Sequence, residues 1–293
     1  MSTRRAWLTP FWIGLALVAG LYLAFLLALI GSTATHTSLK DLWAAISPPP
    51  PGSNQPYYLG YSIMLSLVSC TVSSLFALLL AVPVGYLLSR GRFAGKSLLD
   101  AALDIPIVLP PMVVGLCLLI FFQTRAGKFL DEALPDAMRG SGLDVWLTGK
   151  PFPPGTRMFT YTVFGVLLAQ FVIGAAFAVR TMRGVFDHLS SRPEDVAMTL
   201  GCSRGQAVRM VTLPAARRGM FAAFSIAWAR SLGEFGPILV FAGATRMKTE
   251  VLPTSVFIEL SVGRLEAAIA VSLLMVALAL IVLVAVRLVG ERV

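Results

Sequence analysis

Charge is scarce in this sequence. Only 13% of the 293 residues are Asp, Glu, Lys or Arg, where soluble domains carry about 25%. Apolar residues reach 57%, above the roughly 45–50% of soluble domains. So little polar material cannot clothe a water-soluble surface, and the chain belongs in a membrane. Cysteine is scarce as well. Cys70, Cys117 and Cys202 are odd in number and unpaired in spacing, which excludes a disulfide framework and a cysteine metal site. The two histidines, His36 and His188, lie far apart and read as surface residues. Paired acids, metal-ligand clusters and a nucleophile beside a base are all missing, so an integral membrane enzyme finds no support. A phosphate-binding loop is missing too. Gly95-Lys96-Ser97 resembles the end of one, but the glycine required ahead of it would fall where Arg90 stands, and no strand precedes it. The chain therefore carries no ATP site of its own.

What is present is a series of long apolar runs. Residues 11–30 hold no charge and are long enough to cross a hydrocarbon core of about 30 Å. A cleaved signal peptide would have a shorter apolar core, about 7–15 residues. Residues 33–60 form a loop with a four-proline run, which favours extended polyproline structure. A second span at 61–88 carries Ser62, Ser66, Ser69, Thr71, Ser73 and Ser74 on several faces, and Pro83 is expected to kink it. A third, at 101–122, is interrupted by Pro106, Pro110 and Pro111. Carbonyls freed there are tolerable only against neighbours or a water-lined path. Residues 123–158 are polar. Further spans fall at 159–179, 220–242 and 267–286, making an all-α integral membrane protein of about six transmembrane helices. The first 60 residues are one span and an external loop. Residues 61–290 are the core.

The excess of basic residues, a net charge of +9, is a matter of orientation rather than of nucleic acid. Residues 89–96 pack Arg90, Arg92 and Lys96 into a short loop, whereas residues 33–60 hold only Lys40. The positive-inside rule then places both termini and residues 186–214 in the cytoplasm.

Two features carry mechanism. Residues 193–214, PEDVAMTLGCSRGQAVRMVTLP, form a polar island between apolar runs. Pro193 suits the first turn of a helix, and Glu194 and Asp195 suit its positive end. Gly201 permits a sharp turn, and Pro214 is expected to close a second short helix. The second feature is Arg230 and Glu234, in ARSLGEFGPILVFAG. Each charge costs about 2.5–3.5 kcal/mol near mid-membrane. Four residues apart, they share a helical face and can pair. Gly233, Gly236 and Pro237 make an irregular helix the expectation there. Arg230, Glu234, Gly233 and Gly236, with Pro110 and Pro111, are candidates for a translocation path or gate.

Asp195-Val196-Ala197, then Gly201, then Val211-x-Leu213-Pro214 resembles the EAA loop of permease subunits in binding-protein-dependent ABC importers. That loop reads Glu-Ala-Ala, three residues, Gly, nine residues, Ile-x-Leu-Pro. Asp195, Val196 and Val211 replace the family's Glu, Ala and Ile. GKSLLDAALDIPIVLPPMVVG, ARSLGEFGPILVFAG and LPTSVFIELSVGRLEAAIAVSLL resemble the molybdate branch, with sulfate and tungstate permeases close behind. The similarity spans about 60–290. Departures lie in the 123–158 loop, the proline-rich 47–56 segment, Pro237 and the Arg217-Arg218 pair.

The resemblance implies a type I importer fold in the bacterial inner membrane, working as a homodimer. It implies that Glu194, Asp195, Val196, Ala197, Gly201, Leu213 and Pro214 form the loop gripped by a cytoplasmic ATPase dimer. That dimer would bind ATP and Mg, and this chain would bind no cofactor. An extracytoplasmic binding protein would deliver the oxyanion, molybdate first. A secondary transporter driven by an ion gradient is the rival from another class, with Glu234 as its one candidate acid.

Overall fold

In the computed structural model, residues 10–35, 59–141, 153 and 155–292 are described. The proline-rich segment falls outside them. Among the described residues, twelve α-helices follow in order. They are α1 (Pro10–Thr35), α2 (Leu59–Arg90), α3 (Lys96–Val108), α4 (Pro111–Phe121), α5 (Arg125–Ser141) and α6 (Val163–His188). Then come α7 (Arg192–Thr199), α8 (Arg204–Ala207), α9 (Leu213–Leu232), α10 (Gly236–Phe241), α11 (Leu252–Ser261) and α12 (Leu265–Arg292). A π-helical turn, Val208–Thr212, joins α8 to α9.

Helices α2, α6 and α9 make the central bundle. Their contact face is built from small residues. Ala77, Ala81, Ala175, Ala178, Ala216, Ala223 and Ala227 are buried around Met182 and Phe186. Small side chains let helix backbones approach closely, which is how apolar helices gain contact in a medium as apolar as themselves. The hydroxyl residues of α2 are not spread over several faces. Ser62, Ser66, Ser69 and Ser73 follow a four-three-four spacing and are all buried on one stripe, with Ser74 beside it. Thr71 alone is exposed. Ser73 donates to the Leu167 carbonyl at 2.9 Å, and Ser66 accepts the Leu252 N–H at 2.8 Å. The stripe thus bonds α2 to α6 and to α11.

Direction follows from the paired residues. Ser73 meets Leu167, Ser89 meets Asp187, and Arg90 meets Leu189. Both numbers rise together, so α2 and α6 run parallel. The chain between them must therefore return across the bundle, and α3 with α4 makes that return. Asp104 of α3 pairs with Arg180 at 2.9 Å, and Asp100 pairs with Arg183, at the Arg90 end. Phe122, just after α4, stacks on Phe159 and Phe241 at the opposite end. The expected third span is thus a broken one, bent by 111° at Leu109 and Pro110. The tandem prolines explain the break, since a Pro donates no N–H and restricts the residue before it.

The expected fifth span is broken as well. Helix α9 ends at Gly233 and α10 restarts at Gly236. Among the described residues, four single helices and the α3–α4 pair are long and apolar enough to span. The α9–α10 pair, which carries Arg217, Arg218 and Arg230, is not among them. It crosses by position, since Val185 of α6 packs on Gly219, and Phe241 reaches the Phe122 end. Counted with that pair, the described residues make about six crossings, the number expected from the sequence. The 123–158 segment is no simple loop, because it folds the amphipathic α5. Asp131 on α5 is buried and accepts the Phe159 N–H at 2.6 Å and the Thr160 hydroxyl at 2.7 Å. Helix α6 runs past Arg180 and Arg183, where the sequence had suggested its end.

Candidate coupling element and broken-helix contact

Helix α7 begins as the sequence leads one to expect, with Pro193 in its first turn. The chain turns at Gly201, whose φ of 96° is open to glycine at little cost. Ser203 and Gln206 then form a capping box that starts α8. Its two bonds measure 3.4 Å and 2.8 Å.

The second short helix does not close at Pro214. Helical backbone continues from Arg204 through the π turn and on to Leu232. A proline inside a regular helix clashes with the carbonyl four residues back and leaves it without a donor. The wider π turn directly ahead of Pro214 relieves both. Consequently the second half of the polar island, from Arg204 on, is one continuous lever with α9, which carries Arg230 at its far end.

Glu194 is turned inward. It is 6% exposed and accepts from the Tyr86 hydroxyl of α2 and, at 3.0 Å, from the Thr212 hydroxyl of the π turn. Two bonds to one carboxylate thus pin α7 to α2 and to the lever. Neither Tyr86 nor Thr212 was singled out from sequence. They lie 108 and 18 residues from Glu194, and no local pattern links them. Asp195, Val196 and Gly201 face outward, Ala197 is half-buried, Leu213 packs on the bundle core and Pro214 is exposed. The outward surface carries three large apolar side chains. Val196, Leu200 and Met210 are 57%, 81% and 68% exposed.

The second cluster lies where α9 breaks. Arg230 Nη1 stands 2.7 Å from Glu234 Oε1, and its guanidinium sits over the Phe177 ring, 5.6 Å from the centroid. Glu234 is 1% exposed, whereas Arg230 is one-third exposed. The Glu234 N–H donates to the Ser231 carbonyl at 3.2 Å, which tightens the end of α9.

Pro110–Pro111 and Gly236 come together here. A Cβ on Gly115 of α4 would lie 2.7 Å from the Cα of Pro237, and one on Gly236 would lie 2.8 Å from Met112. The two restarted helices, α4 and α10, therefore touch backbone to backbone through their glycines. Gly233 takes no part in that contact and is exposed at the end of α9. A third charged group was missed from sequence. Glu259 of α11 is 1% exposed and pairs with Arg246 at 2.9 Å and with Arg264 at 3.8 Å. The signal was an acid in the otherwise uncharged helix α11, with an arginine on either side of it in sequence.

Comparison with known proteins agrees with this arrangement. Residues 73–293 match the family described as binding-protein-dependent transport system inner membrane component. The sulfate transport system permease protein CysT of Salmonella typhimurium is 31% identical over 230 residues, covering 78% of this chain and 75% of that one. The molybdenum transport system permease protein ModB of Mycobacterium tuberculosis is 30% identical over 279 residues, covering 94% of this chain and 93% of that one. Among solved structures, a bacterial alginate ABC transporter chain superposes with a TM-score of 0.66 at 15% identity, covering 99% of this chain and 98% of that one. At that identity the likeness concerns the fold alone. With its inward-pinned polar element, its broken helices and a family match over most of its length, this chain belongs to the inner-membrane permease components of binding-protein-dependent ABC importers.

Proposed function

We propose that this chain is the translocating subunit of an ATP-driven importer of a tetrahedral oxyanion, with molybdate ahead of sulfate and tungstate. The observation that carries the importer reading is the outward face of the coupling element. Val196, Leu200 and Met210 project from a segment held from behind by Glu194. An apolar patch on a rigid mount outside the bundle is what a docking partner requires. The partner is a cytoplasmic ABC ATPase dimer, which supplies ATP and Mg. Closure of that dimer moves the two coupling elements of a permease homodimer. The motion passes along the continuous helix to Arg230, Glu234 and the α4–α10 contact. An extracytoplasmic binding protein delivers the anion.

Orientation follows the basic residues. The Arg90 end, both termini and the coupling element are cytoplasmic, and α5 with α11 lies outside. Molybdate is favoured because the mycobacterial molybdenum permease aligns with 94% of this chain, against 78% for the sulfate permease. Glu234 would repel a dianion if free, so it serves as the partner of Arg230 and not as a substrate ligand.

The test is uptake of labelled molybdate and of sulfate into proteoliposomes holding the permease, the ATPase and the binding protein. Uptake that needs ATP and the ATPase, with molybdate competing best, supports the reading. Uptake driven by a proton gradient without the ATPase would establish the secondary transporter instead.

A further inference from the structure

The loop that only mimics a phosphate site, SRGRFAGK, is not idle in the fold. It borders a cavity of about 340 Å³ between the Arg90 end of α2 and the coupling element. Arg90, Arg92 and Lys96 come from the loop side, Arg204 from the start of α8, and Glu194 and Asp195 from α7. Four cations against two carboxylates leave the cavity positive.

Pairing sharpens this. Arg139, Arg180, Arg183, Arg230, Arg246 and Arg264 all reach a carboxylate within ion-pair distance. None of the four cavity cations does so among the described residues, although two carboxylates line the same space. Glu194 spends both oxygens on Tyr86 and Thr212. Arg90 Nη2 donates to the Leu189 carbonyl at 2.5 Å, and Lys96 Nζ donates to the Gly91 carbonyl at 3.3 Å. Arg90 Nε is buried and has no hydrogen-bond partner among the described residues. A buried guanidinium N–H without an acceptor is costly, and guanidinium groups match tetrahedral oxyanions in shape and charge.

We infer that this cavity binds a phosphate-type oxyanion group, which ties the α2–α3 loop to the coupling element. Arg90 and Arg204 supply directional donors from the two sides, and Arg92 and Lys96 add charge. The group comes either from an anionic lipid headgroup at the membrane surface or from free phosphate. Occupancy would brace α7 and α8 against α2 at the point where Glu194 already holds them.

The full-length permease in neutral detergent decides it. Retained phosphatidylglycerol is read by mass spectrometry of the intact protein, with phosphatidylcholine as control, and inorganic phosphate is read by equilibrium dialysis. Wild type should hold phosphatidylglycerol over phosphatidylcholine, or bind phosphate. Retention of lipid unaffected by added phosphate marks the headgroup as the source, and binding of phosphate alone marks the free anion. Arg92→Gln with Arg204→Gln, both exposed, should weaken the binding about tenfold, the equivalent of about 1.4 kcal/mol. Arg217→Gln with Arg218→Gln should leave it unchanged. Lys96→Gln alone, a milder change, should weaken it in the same direction. Wild type that binds neither probe, or a double variant that binds as tightly as wild type, overturns the inference. Binding lost only on addition of the ATPase would also overturn it as a site of the assembled importer, because an acidic side chain of the partner would then fill the cavity.

Discussion

Arg230 and Glu234 show how a membrane helix tolerates charge. Glu234 is sealed at 1% exposure beside a guanidinium 2.7 Å away. Removing the arginine leaves a buried carboxylate unpaired, a change that costs about 3–5 kcal/mol in protein interiors. Arg230 is one-third exposed, so Arg230→Met is expected at the low end, about 3 kcal/mol, as a lowered midpoint in detergent unfolding. Arg230→Met combined with Glu234→Met should recover most of that loss, because the orphaned charge goes too. If the double variant is no better than the single one, the pair is not what makes the arginine matter. Glycine carries a second residue-scale expectation. Gly115→Ala forces a methyl against the Pro237 backbone and should cost about 1–3 kcal/mol. At Gly184 of α6 nothing lies within 4 Å, so Gly184→Ala should be neutral or gain about 0.5–1 kcal/mol from helix propensity. Thermal melts of the two variants side by side make the comparison.

At the scale of elements, the coupling segment separates into a fastening and a face. Tyr86 and Thr212 fasten it through Glu194; Val196, Leu200 and Met210 make the face. The two should respond differently to mutation. Tyr86→Phe removes a donor from a buried carboxylate, worth about 1.5–3 kcal/mol, and should loosen α7 so that protease cuts within residues 192–207 sooner. Val196→Asp with Leu200→Asp should leave the melting midpoint within about 0.5 kcal/mol of wild type, while the ATPase no longer co-purifies. Gly201→Glu should weaken that association as well, because a side chain at φ 96° is strained. Equal co-purification of all these variants would remove the docking role. The π turn adds a mechanical point. Val208–Thr212 carries the helix past Pro214 without a gap, so under the proposed function a displacement of residues 204–212 would reach the Arg230 end through hydrogen-bonded backbone rather than through a loose joint.

For the whole molecule, the parallel run of α2 and α6 decides topology, since it forces α3 and α4 to recross the bundle. If the chain crosses six times as proposed, both of its ends lie on one side. An epitope added after Val293 should be reachable only in permeabilised cells, whereas one inserted within residues 143–150 should be reachable in intact cells. The opposite pattern would reverse the orientation. Much of this plan was legible in the sequence. Uninterrupted apolar runs located the spans, and the Pro110-Pro111 and Gly233–Gly236 stretches located the breaks. Burial was less legible. Glu194 read only as an acid suited to a helix start and is a buried tie. The serines of α2 read as scattered and form one stripe.

The sequence by itself determined what depends on neighbours along the chain. Apolar length fixed the spans, tandem prolines and glycines fixed where helices stop, basic loops fixed the expected orientation, and the spacing from Asp195 to Pro214 fixed the family. Tertiary structure alone decided which distant residues meet. Tyr86 found Glu194, Gly115 found Pro237, and four cations without an ion-pair partner among the described residues gathered around one cavity. Helix periodicity and turn preference act over a few residues and leave a local trace. A contact between distant segments is set by how finished helices pack, and in a membrane they pack by small-residue fit and buried polar bonds that no single segment encodes.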